Sequence, residues 1–258
     1  MLIVNKLCKI AIFSVSIFEL LQNVIFDSIV SISLFGLLHN VIIEIISKFL
    51  HNNYDKNSIK SVELYLISLI HSCIATYHGF KYTNSLYIKN FSDEEQLSNY
   101  YKFYIVSIGY YIYDMIASLL YIKNFNFKNA FNHFSLIIIG YIILSNPNLY
   151  SITPPLMITE LSTIFLNIVL IMSKLKLDNN YLYRISVTLL VISFFVTRLL
   201  WLPIFIFKNI DSKQFNLLGN YKWLLCLYPF FNIVWFKKIF SLVKKETIKY
   251  KISIKIYN

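Results

Sequence analysis

The chain has 258 residues, 57% of them hydrophobic and 14% charged, with a formal net charge of +11 and a mean hydropathy of +0.59. A soluble domain runs nearer half apolar and about a quarter charged, so this composition excludes most soluble readings. Five glycines with five prolines leave little room for disordered or collagen-like sequence, and in a membrane protein the positive charge is not read as a nucleic-acid footprint.

In chain order, the first 23 residues place Lys6 and Lys9 ahead of the apolar stretch IAIFSVSIF. Glu19, Gln22 and Asn23 follow with no small-x-small cleavage site. That stretch is too short to cross a bilayer, which takes about 20 mainly apolar residues. It is expected to be an interfacial helix or an extension of the first span, not a cleaved signal. Seven longer apolar runs follow, at 24–50, 60–81, 100–122, 127–146, 154–174, 182–208 and 217–236. Polar connectors such as HNNYDKNSIK and KNFSDEEQLSN separate the first three. Thr153 before Pro154 and Pro155 predicts a cap followed by prolines at positions where a missing N–H costs nothing. Pro203 and Pro229 lie inside runs and predict kinks. The expected fold is an all-α, polytopic membrane bundle of about seven transmembrane helices.

With seven spans, one side collects fifteen basic residues, seven of them in the last 22 positions, and the other eight. The basic-rich side is expected to be cytosolic, which puts the C-terminus there. Cys8, Cys73 and Cys226 have neither CxxC nor CxxxC spacing, so no disulfide framework or zinc site is expected. There is no GxSxG, Walker loop, HExxH or GxGxxG motif, and five dispersed histidines form no histidine box. No metal and no cofactor are expected.

An ionisable group in hydrocarbon costs about 2.5–3.5 kcal/mol on insertion scales, so each needs a partner, a cavity or a function. Five stand out within the runs: His71, Asp114, His133, Glu160 and Arg198. Arg198 is one of only two arginines. A rise of 1.5 Å per residue puts His133 about 6 and Asp114 about 9 residues from the cytosolic end of their spans, and Glu160 about 14 and Arg198 about 16. His71 lies between, at about 11. Asp114 and His133 therefore share one level, and Glu160 and Arg198 another. An Asp can fix a histidine tautomer for general-base chemistry, and an Arg–carboxylate pair is strong in low dielectric. Both pairs can equally be structural glue between helices, and residue types alone favour that reading. His71 and His78 share a helix face; each is expected to pack through hydrogen bonds with neighbours such as Ser72 and Thr76. His39 is placed near Glu44.

These residues occur in a familiar order: IHSCIATYHG at 70–79, GYYIYDMIASLL at 109–120, FNHFSLIIIGY at 131–141, ITELSTIFLNI at 158–168 and FFVTRLLWLP at 194–203. The series resembles the TLC-domain family, which includes ceramide synthases and small non-synthase members, and the GY-x-x-x-D and E-L-S-T-x-F-x-N forms are most similar to the latter. The resemblance divides the chain into an N-terminal segment (1–23), a first span with its connector (24–57), a six-span TLC domain (58–245) and a basic tail (246–258). It implies that the six spans surround an intramembrane cavity sized for an acyl chain, with His71, Asp114, His133, Glu160 and Arg198 as lipid-binding candidates. Ceramide synthases carry a paired histidine in the fourth span and an HD-x-x-D sequence about 28 residues on. Here Asn132-His133 stands at the first place and Thr159-Glu160 with Thr163 at the second. Only His133 and, as a carboxylate, Glu160 carry over.

Two functions compete. One is a lipid-binding TLC-domain protein of membrane lipid homeostasis, whose partners are membrane lipids. The other is an acyl-CoA-dependent N-acyltransferase of the ceramide synthase type, in which His133 and Asp114 would be catalytic. The missing histidine favours the first. A solute transporter would also bury charges, but no inverted repeat or broken-helix pair supports one. The expected location is the endoplasmic reticulum, with the plasma membrane as the alternative.

Overall fold

The computed structural model describes residues 27–46, 48–50, 54–88, 94–121, 127–144, 149, 152–209, 216, 227–241 and 243–244. Among the described residues nine α-helices carry the fold: α1 (Asp27–Leu50), α2 (Lys56–Ile88), α3 (Glu94–Tyr121), α4 (Phe127–Leu144), α5 (Thr153–Ile158), α6 (Glu160–Lys174), α7 (Tyr181–Phe194), α8 (Leu202–Asn209) and α9 (227–241). No strand occurs among the described residues. The N-terminal segment 1–23 and the tail 246–258 lie outside them.

Among the described residues five stretches are long and apolar enough to cross a membrane: Asp27–Leu50, Lys56–Asn84, Tyr100–Leu120, Thr153–Lys174 and Tyr181–Lys208. They coincide with five of the seven expected runs. In the fourth run, α4 has 18 residues, about 27 Å of helix, and its apolar part is the shorter His133–Leu144. The seventh run is described only from residue 227, within α9.

In a bilayer the usual pattern inverts, because tails solvate apolar side chains and protein must satisfy polar ones. Helix α1 follows this rule. Ser28, Ser31, Phe35, His39, Ile42 and Ile46 are buried at three- and four-residue spacing, while Ile29, Val30, Leu34, Leu37, Val41, Ile45 and Phe49 face outward. Small residues set the closest approaches. A Cβ on Gly109 of α3 would run into the Ser31 Cβ of α1, and one on Gly79 of α2 would lie 2.8 Å from the Ile158 nitrogen of α5.

Contacts across the helix pairs give their directions. His71 stacks on Tyr110 and His78 on Phe103, so α2 and α3 run antiparallel. Phe35 meets Tyr110 and His39 meets Tyr113, so α1 and α3 run parallel. Alternating spans require both relations. The Tyr54 hydroxyl, between α1 and α2, donates to the Leu175 carbonyl at the end of α6 (3.2 Å), which puts those ends on one side.

Two local features depart from the sequence reading. Thr153 is the first residue of α5 rather than its cap; Ile152 holds the cap position without a side-chain bond, and Pro154 and Pro155 fill the first turn. Wholly buried, Thr153 is packed as interior. The expected disturbance at Pro203 takes the form of a π-helical segment, Phe195–Trp201, joining α7 to α8. There the Leu202 N–H donates to the Thr197 carbonyl, five residues back. Such segments collect beside a residue that breaks the four-residue ladder, and proline has no N–H to continue it.

Candidate functional site

The π segment carries Arg198, and its wider turn directs the guanidinium toward α6. Nε donates to the Ser162 hydroxyl (2.8 Å), Nη2 to the Thr163 hydroxyl (3.0 Å) and Nη1 to the Tyr228 hydroxyl of α9 (3.3 Å). Glu160 faces the same group, with Oε1 3.9 Å from Nη2, and its other oxygen accepts from Ser72 of α2 (3.4 Å). The expected Glu160–Arg198 pair therefore exists as an ion pair, but the short bonds of the guanidinium go to hydroxyls. The guanidinium's donors thus tie the π segment to two helices, α6 and α9.

The second expected pair is closer. His133 Nδ1 of α4 lies 3.1 Å from Asp114 Oδ2 of α3. These side chains are 20% and 18% exposed, against 10% and 9% for Arg198 and Glu160, so the His133–Asp114 pair is the more open of the two. With Nδ1 toward the carboxylate, Nε2 is the nitrogen left to meet a guest.

The structure brings the two pairs into one polar region through aromatic rings. Tyr110 stacks on His71 at 3.8 Å and lies 6.4 Å from His133, and Tyr111 lies 5.4 Å from both. Ser72, next to His71, reaches Glu160. All five expected residues thus belong to a single network spanning α2, α3, α4, α6 and the π segment. His71 departs from its expected hydrogen-bonded packing: it is 1% exposed, and neither ring nitrogen has a hydrogen bond among the described residues. Stacking on Tyr110 holds it instead. The hydroxyls of Tyr104 and Tyr111 are likewise buried without a hydrogen bond.

Two further ionisable residues are buried as a pair: His39, which the sequence reading placed near Glu44, and Glu63, which it left out. His39 Nε2 of α1 lies 3.8 Å from Glu63 Oε2 of α2, both side chains 5% exposed. His39 does not turn to Glu44, which pairs with Lys48 on the outer face of α1. Residues five apart lie on different helix faces, whereas four apart are neighbours. Glu63 sits only two turns into its span, which reads from sequence as the interface. Among the described residues, no group of three His, Cys, Asp or Glu could hold a metal ion.

Comparison with known families gives one match: the TLC-domain model matches residues 57–241. No curated protein and no solved structure matches the chain. The matched region begins at the second residue of α2, ends with α9 and covers well over half of the chain, so this multi-pass membrane protein belongs to the TLC-domain family.

Proposed function

We propose that the protein binds a lipid or acyl chain within its helical bundle, with the polar end of that guest at His71, Tyr104, Tyr111, Asp114 and His133, and that it acts in membrane lipid homeostasis. The observation that carries this reading is a set of interior polar atoms unmatched by protein. Both ring nitrogens of His71 and the hydroxyls of Tyr104 and Tyr111 make no hydrogen bond among the described residues, although each side chain is at most 1% exposed. Polar groups orphaned in hydrocarbon cost several kcal/mol each, and the polar end of an amphiphile is the guest a bilayer can supply. Native mass spectrometry of the protein extracted from membranes tests this. A retained lipid whose identity or occupancy changes in His133→Ala supports the reading; a lipid-free spectrum for the wild-type protein under conditions that preserve its fold defeats it. The endoplasmic reticulum is the membrane this reading expects.

One observation favours the enzyme reading: the 3.1 Å Asp114–His133 contact is the arrangement that orients an imidazole as a base. Against it stands Glu160, the carboxylate at the second synthase-like position, which is engaged by Arg198 and Ser72. Labelled acyl-CoA and long-chain bases separate the two. Acyl transfer by the wild-type protein above a denatured control, lost by about 10²–10⁴ in His133→Ala, would establish the enzyme. No turnover together with an altered lipid profile in that variant fits the binding protein.

A further inference from the structure

One side of α3 carries a polar stripe through the interior of the bundle. Tyr100, Tyr104, Ser107, Tyr111 and Asp114 recur at four- and three-residue spacing and so share a helix face, while Ile116, Leu119 and Leu120 face outward. The first four are at most 1% exposed, and none of their hydroxyls has a hydrogen bond among the described residues. Tyr100 opens the span Tyr100–Leu120, directly after the polar connector KNFSDEEQLSN. At 1.5 Å per residue, the four hydroxyl-bearing positions cover about 16 Å from that end, and Asp114 lies about 21 Å in.

Ser107 shows that the stripe does not turn back on its own helix. Ser31, Ser72, Ser186 and Ser193 are also buried in helices, and each donates to the carbonyl four residues back. Ser107 makes no such bond. A polar group left unsatisfied in hydrocarbon costs several kcal/mol, so four in one line call for a partner along that line.

We propose that this stripe lines a file of water molecules running from the aqueous phase at the α2–α3 connector to the Asp114–His133 pair. The repeat selects water. One lipid head serves polar atoms at one depth, and an acyl chain serves none; hydroxyls repeated along the helix need a small partner at each step that both donates and accepts. The step length fits. The rings of Tyr100 and Tyr104 lie 6.1 Å apart and nearly parallel, at 16°, close to the roughly 5.5 Å that one water covers with two O–H···O bonds. Buried water settles where polar groups would otherwise go unsatisfied, making about three hydrogen bonds. At the inner end the Tyr111 ring lies 5.4 Å from both His133 and His71, whose ring nitrogens are likewise without a bond among the described residues. The file therefore hydrates the polar end of the guest proposed above and lets His133 exchange protons with one aqueous phase. It does not depend on that guest.

Radiolytic footprinting of the full chain in phosphatidylcholine nanodiscs uses water itself as the probe, because hydroxyl radicals formed from a bound water oxidise the side chain beside it. Tyr104 and Tyr111 should be oxidised at rates near that of Tyr100, while Phe195, in mid-span and 43% exposed toward the acyl chains, stays unmodified. Ser107→Leu, a plug between the tyrosines, should remove most of the labelling at Tyr111 and leave that at Tyr100. Ser107→Val repeats the measurement with a smaller plug where the leucine variant does not fold. Tyrosines as inert as Phe195 in the wild-type protein, or Tyr111 labelling that survives the plug, overturn the inference. So does labelling that appears only once lipid is stripped from the protein, which would seat an amphiphile along the stripe and uphold the lipid reading. Labelled tyrosines in a protein that native mass spectrometry finds free of lipid support the file and defeat that reading instead.

Discussion

Arg198 is held by three hydroxyls at 2.8–3.3 Å and one carboxylate at 3.9 Å, so the two halves of its pair are not equivalent. Arg198→Leu removes every bond at once and leaves Glu160 with the Ser72 hydroxyl but without its cation. Breaking a buried pair this way costs about 3–5 kcal/mol, which lowers the thermal midpoint by roughly 6–20 °C for a chain of this size. Glu160→Gln should cost less, because glutamine still accepts from Ser72 and the guanidinium keeps its hydroxyl partners. The double variant should lose less than the sum of the singles; additive losses in a thermal-shift assay would mean the carboxylate and guanidinium do not interact. Both this pair and Asp114–His133 were legible in the sequence, since helical rise converts residue count into depth and depth selects partners. What that arithmetic lacks is azimuth. It could not show that His71 and His78 turn toward the rings of Tyr110 and Phe103, nor that His39 turns away from Glu44 to Glu63.

At the level of the helices, fit is set by places where nothing larger than glycine is possible. Gly109 faces Ser31 and the Ser28 carbonyl, so an added methyl meets the neighbouring helix itself, whereas Gly140 faces the flexible end of Ile108. Gly109→Ala should therefore destabilise by about 1–3 kcal/mol, the usual cost of overpacking, and Gly140→Ala by clearly less. Equal melting temperatures for the two variants would contradict the α1–α3 approach. Helix starts carry a second consequence. Asp55 caps α2 by accepting from the Ser58 N–H (3.0 Å) and the Ser58 hydroxyl (2.6 Å), and these bonds hold its carboxyl below the ordinary value. A group with a depressed folded value adds stability that is present above the ordinary carboxylate value and lost as pH falls through the lowered one. The protection of the Ser58 amide, its exchange rate set against the intrinsic rate at the same pH, should thus fall under acid conditions in the wild-type protein, and at neutral pH in Asp55→Ala. An exchange rate unmoved by the substitution would show that the cap does not hold this turn. The break at Thr159, between α5 and α6, was not legible, and of the π segment only the disturbance at Pro203 was, because the rest follows from packing against neighbours that composition does not reveal.

For the whole molecule, what the sequence conveyed was class and order: an all-helical bundle, its apolar runs, and a likeness to the TLC-domain family that the match over residues 57–241 bears out. Hydrophobic length fixes a span wherever one exceeds the bilayer thickness, as in Lys56–Asn84 and Tyr181–Lys208. It is silent for α4, whose 18 residues are close to the minimum and whose place depends on packing against α3. Orientation is a separate matter, because a bundle and its inverted copy have the same contacts. Only the lysines decide it, and they divide evenly until the seven at the C-terminal end are counted. That tail would meet an anionic leaflet if it is cytosolic, with a gain of about 1 kcal/mol for each lysine near the surface. It should therefore be digested by protease added outside sealed microsomes, while an epitope at the N-terminus stays protected if the chain crosses the bilayer seven times. Replacing all seven, Lys237, Lys238, Lys244, Lys245, Lys249, Lys251 and Lys255, with glutamine should make the insertion mixed, since the remaining signal is then balanced. A tail that resists protease in sealed vesicles, and is cut only after detergent, would place the C-terminus in the lumen and reverse every depth counted from the cytosolic side, leaving the paired residues themselves unchanged.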